Sequence, residues 1–299
     1  MTLRSLYDVP APAKLNLFLH VVGRRDDGYH LLQSVFVLID WADRLHFERR
    51  EDGRLARHDL GLALPADDLS LRAARTLQAQ SGSALGADIH VDKQLPWGAG
   101  LGGGSSDAAS TLLALNRLWG LHWPVERLVT LAATLGADVP FFVGGRNAFV
   151  EGIGERLTPL DLPPQRFALA KPAAELATAG IFASPELVRD TDPVILAGSF
   201  ASTGETDLRA QVAAFCSGFG RNDLQPIAEA RCPEVAAVAR WLEGRFGNSR
   251  MTGSGSTVFA RVGMDDRSAE AWPAQPPPGP WVTRLCRSLD HHPLLGWAG

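Results

Sequence analysis

Leu95-Pro96-Trp97-Gly98-Ala99-Gly100-Leu101-Gly102-Gly103-Gly104-Ser105-Ser106-Asp107 is the densest run of glycine in the chain. Five of the seven residues from Gly98 to Gly104 are glycine, which lets the backbone take positive φ and turn successive N–H groups toward a ligand with no Cβ in the way. Upstream, Ala87 to Lys93 alternates like a half-buried strand; downstream, Ala108, Leu112, Leu115 and Trp119 recur at helical spacing. The glycines therefore join a strand to a helix start, where free N–H groups and the positive end of the helix dipole favour phosphate. Ser105, Ser106 and Asp107 are the candidate caps.

Two phosphate loops can be tested against this stretch. Gly98-x-Gly100-x-x-Gly103 has the spacing of a dinucleotide fingerprint, but Pro96 and Trp97 interrupt the strand-to-glycine junction and no repeating βαβ pattern precedes it. A P-loop ends in Gly-Lys-Ser/Thr, whereas Gly104 is followed by Ser105, which excludes it. A flexible linker would not run straight into a strongly amphipathic helix. What remains, Pro-x-x-x-Gly-Leu-Gly-Gly-Gly-Ser-Ser, resembles the nucleotide loop of the GHMP kinases, the superfamily of galactokinase, homoserine, mevalonate and phosphomevalonate kinases.

Composition bounds the alternatives. The chain has 299 residues, 45% apolar and 21% charged, as a soluble globular protein does, and is long enough for two domains. A formal net charge of −4 supplies no general basic field for nucleic acid. Cys216, Cys232 and Cys286 are well separated and have no metal-ligand spacing, which suits a reducing compartment. The first nine residues lack the apolar core of a signal peptide, and no stretch of about 18 apolar residues is present, so a cytoplasmic protein without membrane contact is expected.

Taken in order, Pro10-Ala11-Pro12-Ala13 leads into a strand from Lys14 to Val22 whose polar positions Lys14, Asn16 and His20 share a face. Arg24 to His30 is a turn built on Asp27-Gly28, followed by the apolar run Leu31–Ile39 and a charged strand from Arg44 to Arg50. After a polar connection, Asp67 or Asp68 caps a helix running to Ser81, which Gly82 to Gly86 ends. Pro124 opens another helix that stops at Gly136. Asp138 then sits in Gly136-Ala137-Asp138-Val139-Pro140-Phe141-Phe142, where apolar neighbours make an unpaired carboxylate costly, so it needs a cationic partner.

Ala148 to Glu151 reads as a strand, Leu160 to Pro164 as a domain junction, and Phe167 to Ala170 as a strand opening the second half. A helix is expected near Ser184–Arg189, and Asp190–Thr206 reads as a polar loop at the cleft. Helices follow around Ile227–Ala230 and Glu234–Glu243. Thr252-Gly253-Ser254-Gly255 forms a second glycine turn, Gln275 to Pro280 a stiff loop, and Trp281–Leu289 a closing edge strand.

Together, Ala13-Lys14-Leu15-Asn16-Leu17, Asp27-Gly28-Tyr29-His30, Pro96 to Ser106, Gly136-Ala137-Asp138-Val139-Pro140-Phe141 and Thr252 to Gly255 resemble, in the same order, the family of 4-diphosphocytidyl-2-C-methyl-D-erythritol kinases. The similarity runs from about residue 10 to 262. It departs at Ala99, where a third early glycine is common, at Trp97, where a smaller apolar residue is usual, and at Asp26, where proline is frequent.

The resemblance implies an α+β, two-domain GHMP kinase fold with the active-site cleft between the domains, an ATP-binding unit over 1–160 and a second unit over 161–299. It implies ATP on Pro96, Trp97, Gly98, Ala99, Gly100, Leu101, Gly102, Gly103, Gly104, Ser105 and Ser106, with Mg²⁺ held in part by a loop serine, Ser106. The family's catalytic pair falls on Lys14 and Asp138. Its cytidine pocket falls on Tyr29 and Phe182 as an aromatic sandwich, with His30 beside them and Asn16 and Thr178 as further contacts. The implied reaction is transfer of phosphate from ATP to the 2-hydroxyl of a cytidine diphosphate sugar alcohol by a monomer or weak homodimer. Two alternatives are a GHMP kinase of the homoserine or mevalonate type and an RNA-binding module with a similar first domain.

Overall fold

The computed structural model describes residues 3–61, 63–198, 207–264, 272 and 277–298. Two long strands, β1 (Ser5–Arg24) and β2 (His30–Arg50), pair antiparallel over most of their length. The other edge of β2 carries β4 (Gly86–Asp92) at its end and β5 (Ala148–Glu151) near its start. With β3 (Leu55–Asp59) parallel to β4 and β6 (Arg156–Pro159) beside β5, the sheet has six strands. The strand expected from Lys14 thus begins at Ser5 and runs through Pro10 and Pro12. Those prolines are tolerated because β1 has β2 as its one strand partner among the described residues, so a missing N–H on the far edge breaks no ladder.

Four helices cover one face of this sheet. α1 (Leu69–Ser81) starts at Asp68, whose carboxylate accepts from Leu71 N at 3.1 Å, and ends at Gly82 in the left-handed region. α2 (Gly103–Leu118) is buried on nearly every side, and α3 (Val125–Ala133) and α4 (Val139–Gly144) complete the layer. Leu38, Phe47, Leu77, Ile89, Leu112 and Phe141 form the centre of this core.

The second sheet is antiparallel, in the order β10 (Val282–Arg287), β7 (Arg166–Lys171), β9 (Val258–Val262), β8 (Arg250–Met251). It packs with α7 (Gln225–Arg231) and α8 (Pro233–Phe246) around Val235, Leu242 and Ala260. The short helix α5 (Thr178–Phe182) and α6 (Leu208–Ser217) lie between strands of this half in sequence. A third core joins both halves: Leu15, Phe18 and Val37 of the first pack with Phe167, Phe215 and Phe259 of the second. The last residues also return to the first half, where Leu294 is part of its core and Arg117 lies over the Trp297 ring at 4.8 Å.

Several expectations change. β3 is an additional element in a stretch that reads as a polar connection, and β6 and α6 form in stretches to which the sequence reading assigns no element. The helix expected near Ser184–Arg189 is absent; that segment is turn and extended chain. Arg189 holds the segment instead by donating to the carbonyls of Phe182, Ser184 and Leu187. Residues 199–206 of the expected cleft loop, and Gln275 and Pro276 of the stiff loop, lie outside the described residues.

Candidate active site

The glycine loop takes its path from alternation. Gly98, Gly100 and Gly102 have φ of 58°, 71° and 73°, while Ala99 and Leu101 between them are buried in the shared core. Ala99 therefore stands where an ordinary φ is used and a methyl group is welcome. At Gly100 a Cβ would come within 2.3 Å of the Thr252 carbonyl oxygen, and at Gly102 within 2.9 Å of the Phe142 ring and 3.3 Å of Lys14 Cγ. The loop rests on the second glycine turn, with Ser256 N donating to Gly98 O at 3.2 Å and Thr257 N to Ala99 O at 3.3 Å. Trp97 projects outward, 53% exposed.

None of the three expected caps acts as one. Gly102 occupies the N-cap of α2, with no side-chain cap bonded to the first-turn amides, which is the arrangement an anion site needs. Ser106 and Ser110 donate to the carbonyls of Pro12 and Pro10 at 2.7 and 2.8 Å, stitching α2 to the outer edge of β1. The Ser106 hydroxyl is thereby buried with its proton committed to Pro12 O, and its lone pairs remain. Asp107 instead meets Lys93 at 2.6 Å, and Lys93 also bonds Asp43. Asp43 in turn accepts from the backbone of Gln94 and Leu95 at 2.6 and 2.7 Å, so this buried triad anchors the loop entrance. Burial pushes the Asp107 carboxyl above its usual range, with Asp43 adding to the effect against the pull of Lys93. The triad was missed from sequence because its members come from β2, the end of β4 and α2.

Lys14 lies beneath the loop. Its backbone N donates to Leu101 O at 3.0 Å, and its ammonium sits 4.5 Å from the centre of the Phe36 ring. Nζ is 3.7 Å from Asp138 Oδ2, so the carboxylate has the cationic partner its apolar context demanded. Burial lowers the Lys14 pKa, and the Asp138 charge opposes the shift. Asp138 occupies the N-cap position of α4 but caps nothing, and its side chain is 31% exposed to the cleft.

Asn16 is placed to hold other residues. Its Oδ1 accepts from Lys14 Nζ at 2.5 Å and from Gly253 N at 2.9 Å, while its Nδ2 donates to Ser34 Oγ at 2.9 Å. Both ends of the amide are thus used inside the protein, and β1 is tied to the second glycine turn across 236 positions through Asn16 N and Thr252 Oγ1. Thr178 reaches the same turn, with 2.7 Å between its hydroxyl and that of Ser254.

Tyr29, His30 and Phe182 line one cavity with Lys14, Asp138 and Thr178, of 780 Å³. The ring beside Phe182 is His30, at 5.0 Å, whereas Tyr29 stands 60% exposed at the mouth. Gly28 takes φ of 90° and Tyr29 N bonds Asp27 Oδ1, which sets the turn. A second cavity of 430 Å³ lies over the glycine loop and is lined by Trp97, Lys93 and Pro65. The two meet at Gly100, Gly102 and Ser105, next to Lys14.

This arrangement suits transfer between two ligands, one over each side of the loop, and the comparisons with known proteins agree. Residues 68–146 match the model of the GHMP kinases N terminal domain and residues 207–274 that of the GHMP kinases C terminal domain. A 4-diphosphocytidyl-2-C-methyl-D-erythritol kinase of Methylibium petroleiphilum is 62% identical over 100% of both chains. A crystal structure of 4-(cytidine 5'-diphospho)-2C-methyl-D-erythritol kinase, 35% identical, aligns with a TM-score of 0.73 over 94% of this chain and 98% of its own. The homoserine kinase of Cytophaga hutchinsonii shares the fold alone, at 15% identity and a TM-score of 0.66 over 97% and 95%. The chain belongs to the 4-diphosphocytidyl-2-C-methyl-D-erythritol kinase family of the GHMP kinases.

Proposed function

We propose that the protein transfers the γ-phosphoryl group of ATP to the 2-hydroxyl of 4-(cytidine 5'-diphospho)-2-C-methyl-D-erythritol, a step of non-mevalonate isoprenoid biosynthesis. The observation that carries this reading is the Lys14–Asp138 pair where the two cavities meet, with aromatic rings at the far end of the larger one. The 62% identity to a kinase of this name favours it over the homoserine and mevalonate types. In this reading residues 1–160 hold ATP and residues 161–299 complete the cleft.

The chemistry follows from what each group can do. ATP lies with its phosphates on the amides of Gly102 to Ser105, which stabilise charge there without reorganising. Asp138 accepts the proton of the 2-hydroxyl as that oxygen bonds to the γ-phosphorus; the bond from phosphorus to the bridging oxygen breaks and ADP leaves. Lys14 keeps Asp138 ionised and draws charge from the attacking oxygen. Tyr29 and Phe182 stack on the cytosine.

No group of three metal-ligating side chains occurs among the described residues, which suits Mg²⁺ carried chiefly by phosphate oxygens. Ser105, where the two cavities meet, and Asp138 are the side chains that would lie nearest it, and the ion would neutralise triphosphate charge.

The test is ATP consumption with the cytidine substrate, homoserine and mevalonate in parallel, repeated with Tyr29→Ala. Turnover confined to the cytidine substrate supports the assignment, as does a rise in its KM of about tenfold to a hundredfold in Tyr29→Ala, the worth of one base–aromatic stack. Preferred turnover of homoserine or mevalonate would overturn it.

A further inference from the structure

Arg189 lies beyond α5, outside every motif that carries the family resemblance, yet it binds two residues that line the larger cavity, His30 and Phe182. Its Nη2 donates to Phe182 O at 3.1 Å and Ser184 O at 2.7 Å, and its Nη1 to Leu187 O at 2.9 Å. These bonds hold the end of α5 and the turn after it in one conformation. Nε donates to His30 Nε2, 3.0 Å away at the start of β2. The His30 ring packs on Phe182 with 5.0 Å between centroids and 33° between planes. One guanidinium thus ties together two rings from opposite halves of the chain.

The direction of the Arg189–His30 bond fixes a proton. A guanidinium has no acceptor and stays charged in proteins, so the atom it faces must accept. His30 Nε2 therefore carries no hydrogen, and in the neutral ring the proton sits on Nδ1.

We propose that Arg189 is a positioning residue for the pyrimidine site, locking His30 in its neutral Nδ1–H form and setting the His30 and Phe182 rings as a single wall for the base. This rests on the cytidine reading of the cavity given above. The charges around His30 act in the same direction. Burial, Arg189 and Arg24 at the end of β1 all lower the His30 pKa, in that order, and Asp27 in the intervening turn is occupied by Arg25 at 2.6 Å. A neutral wall stacks a base without taking a charge out of water.

Two measurements on the full-length protein test this. The first is nitrogen NMR of the histidine rings from pH 5.5 to 8, with no ligand or turnover required. In the wild type the His30 ring should show an unprotonated Nε2 in the neutral form and titrate below the ordinary histidine value. In Arg189→Met it should exchange tautomers and its titration should move up toward the ordinary histidine value, with burial and Arg24 still holding it below. The second is steady-state kinetics. Arg189→Met should raise KM for the cytidine substrate about tenfold, the worth of one lost hydrogen bond to a charged group, with KM for ATP within twofold of wild type. Arg189→Lys should not restore it, because one ammonium cannot span His30 and three carbonyls.

A His30 that titrates normally in the wild type overturns the proposal, as does a cytidine KM unchanged in folded Arg189→Met or rising in step with that for ATP. If the wild type ignores the cytidine substrate, the functional reading fails instead, while the NMR experiment still decides whether Arg189 sets the His30 proton.

Discussion

Lys14 Nζ stands 3.7 Å from Asp138 Oδ2 but 2.5 Å from Asn16 Oδ1, so a neutral amide holds the buried ammonium more closely than the carboxylate it faces. The consequence is a divided set of contacts. Asn16, fixed by Ser34 and the Gly253 amide, aims the lysine, and Asp138 stays free enough to take a proton. A tight ion pair would have spent both charges on each other.

Asp138→Asn keeps the size and removes the base. The fold and ATP binding should persist, while kcat falls by about two to four decades, as loss of a positioned base produces. Single-turnover rates at saturating substrates check this; near wild-type turnover would exclude Asp138 as the base.

Lys14→Met should separate function from stability. Burial lowers the Lys14 pKa below 10.5, so the unfolded chain holds that proton more tightly than the folded one. The group's contribution to stability therefore rises with pH between the lowered folded pKa and the unfolded value. Replacing the charge by an apolar stem should reduce kcat by about two decades or more, yet leave Tm at pH 7 unchanged or higher and flatten its alkaline rise. Calorimetric melts from pH 7 to 10 provide the measurement, and a large drop in Tm would contradict the account.

Gly102→Val tests the loop. A side chain there meets the Phe142 ring at 2.9 Å and must adopt a φ of 73°, which β-branched residues resist. Affinity for ATP should fall by at least tenfold while that for the cytidine substrate changes less. Calorimetric titration of each nucleotide into the folded variant discriminates, and unchanged ATP affinity would move the phosphates elsewhere.

His292 supplies an acid-sensitive element. It is fully buried, accepts from Leu294 N at 3.1 Å, and burial pulls its pKa down to about 4. The unfolded chain binds a proton that the folded state refuses, so stability is lost as pH falls from about 6.5 toward 4. His292→Leu should cost about 1 kcal/mol at pH 7 through the lost hydrogen bond and narrow its deficit against wild type at pH 5. A deficit constant with pH would show that His292 is not the titrating group.

Much of the local structure was legible in the chain because local rules govern it. Asp68 and Gly82 bound α1, Pro124 opens α3, and alternation marked β4, since caps, proline and period-two burial act over a few residues. The weak elements escaped notice: β3 and β6 are short, and α6 lies next to a stretch whose polar composition reads as loop.

The site divides the same way. Its glycine loop was readable as a phosphate cradle, because backbone freedom is a property of the residues themselves. Lys14 and Asp138 were readable as a pair through resemblance and through the need of a buried carboxylate for a cation. What tertiary structure alone decided is who holds whom: Ser106 turned to Pro12, Asp107 to Lys93, Asn16 to Lys14 and Arg189 to His30. Serine, aspartate, asparagine and arginine each have several allowed partners at any position. Which one is taken depends on what the fold brings within 3 Å, and that distance is set by the packing of elements as much as 159 positions apart, as between Arg189 and His30.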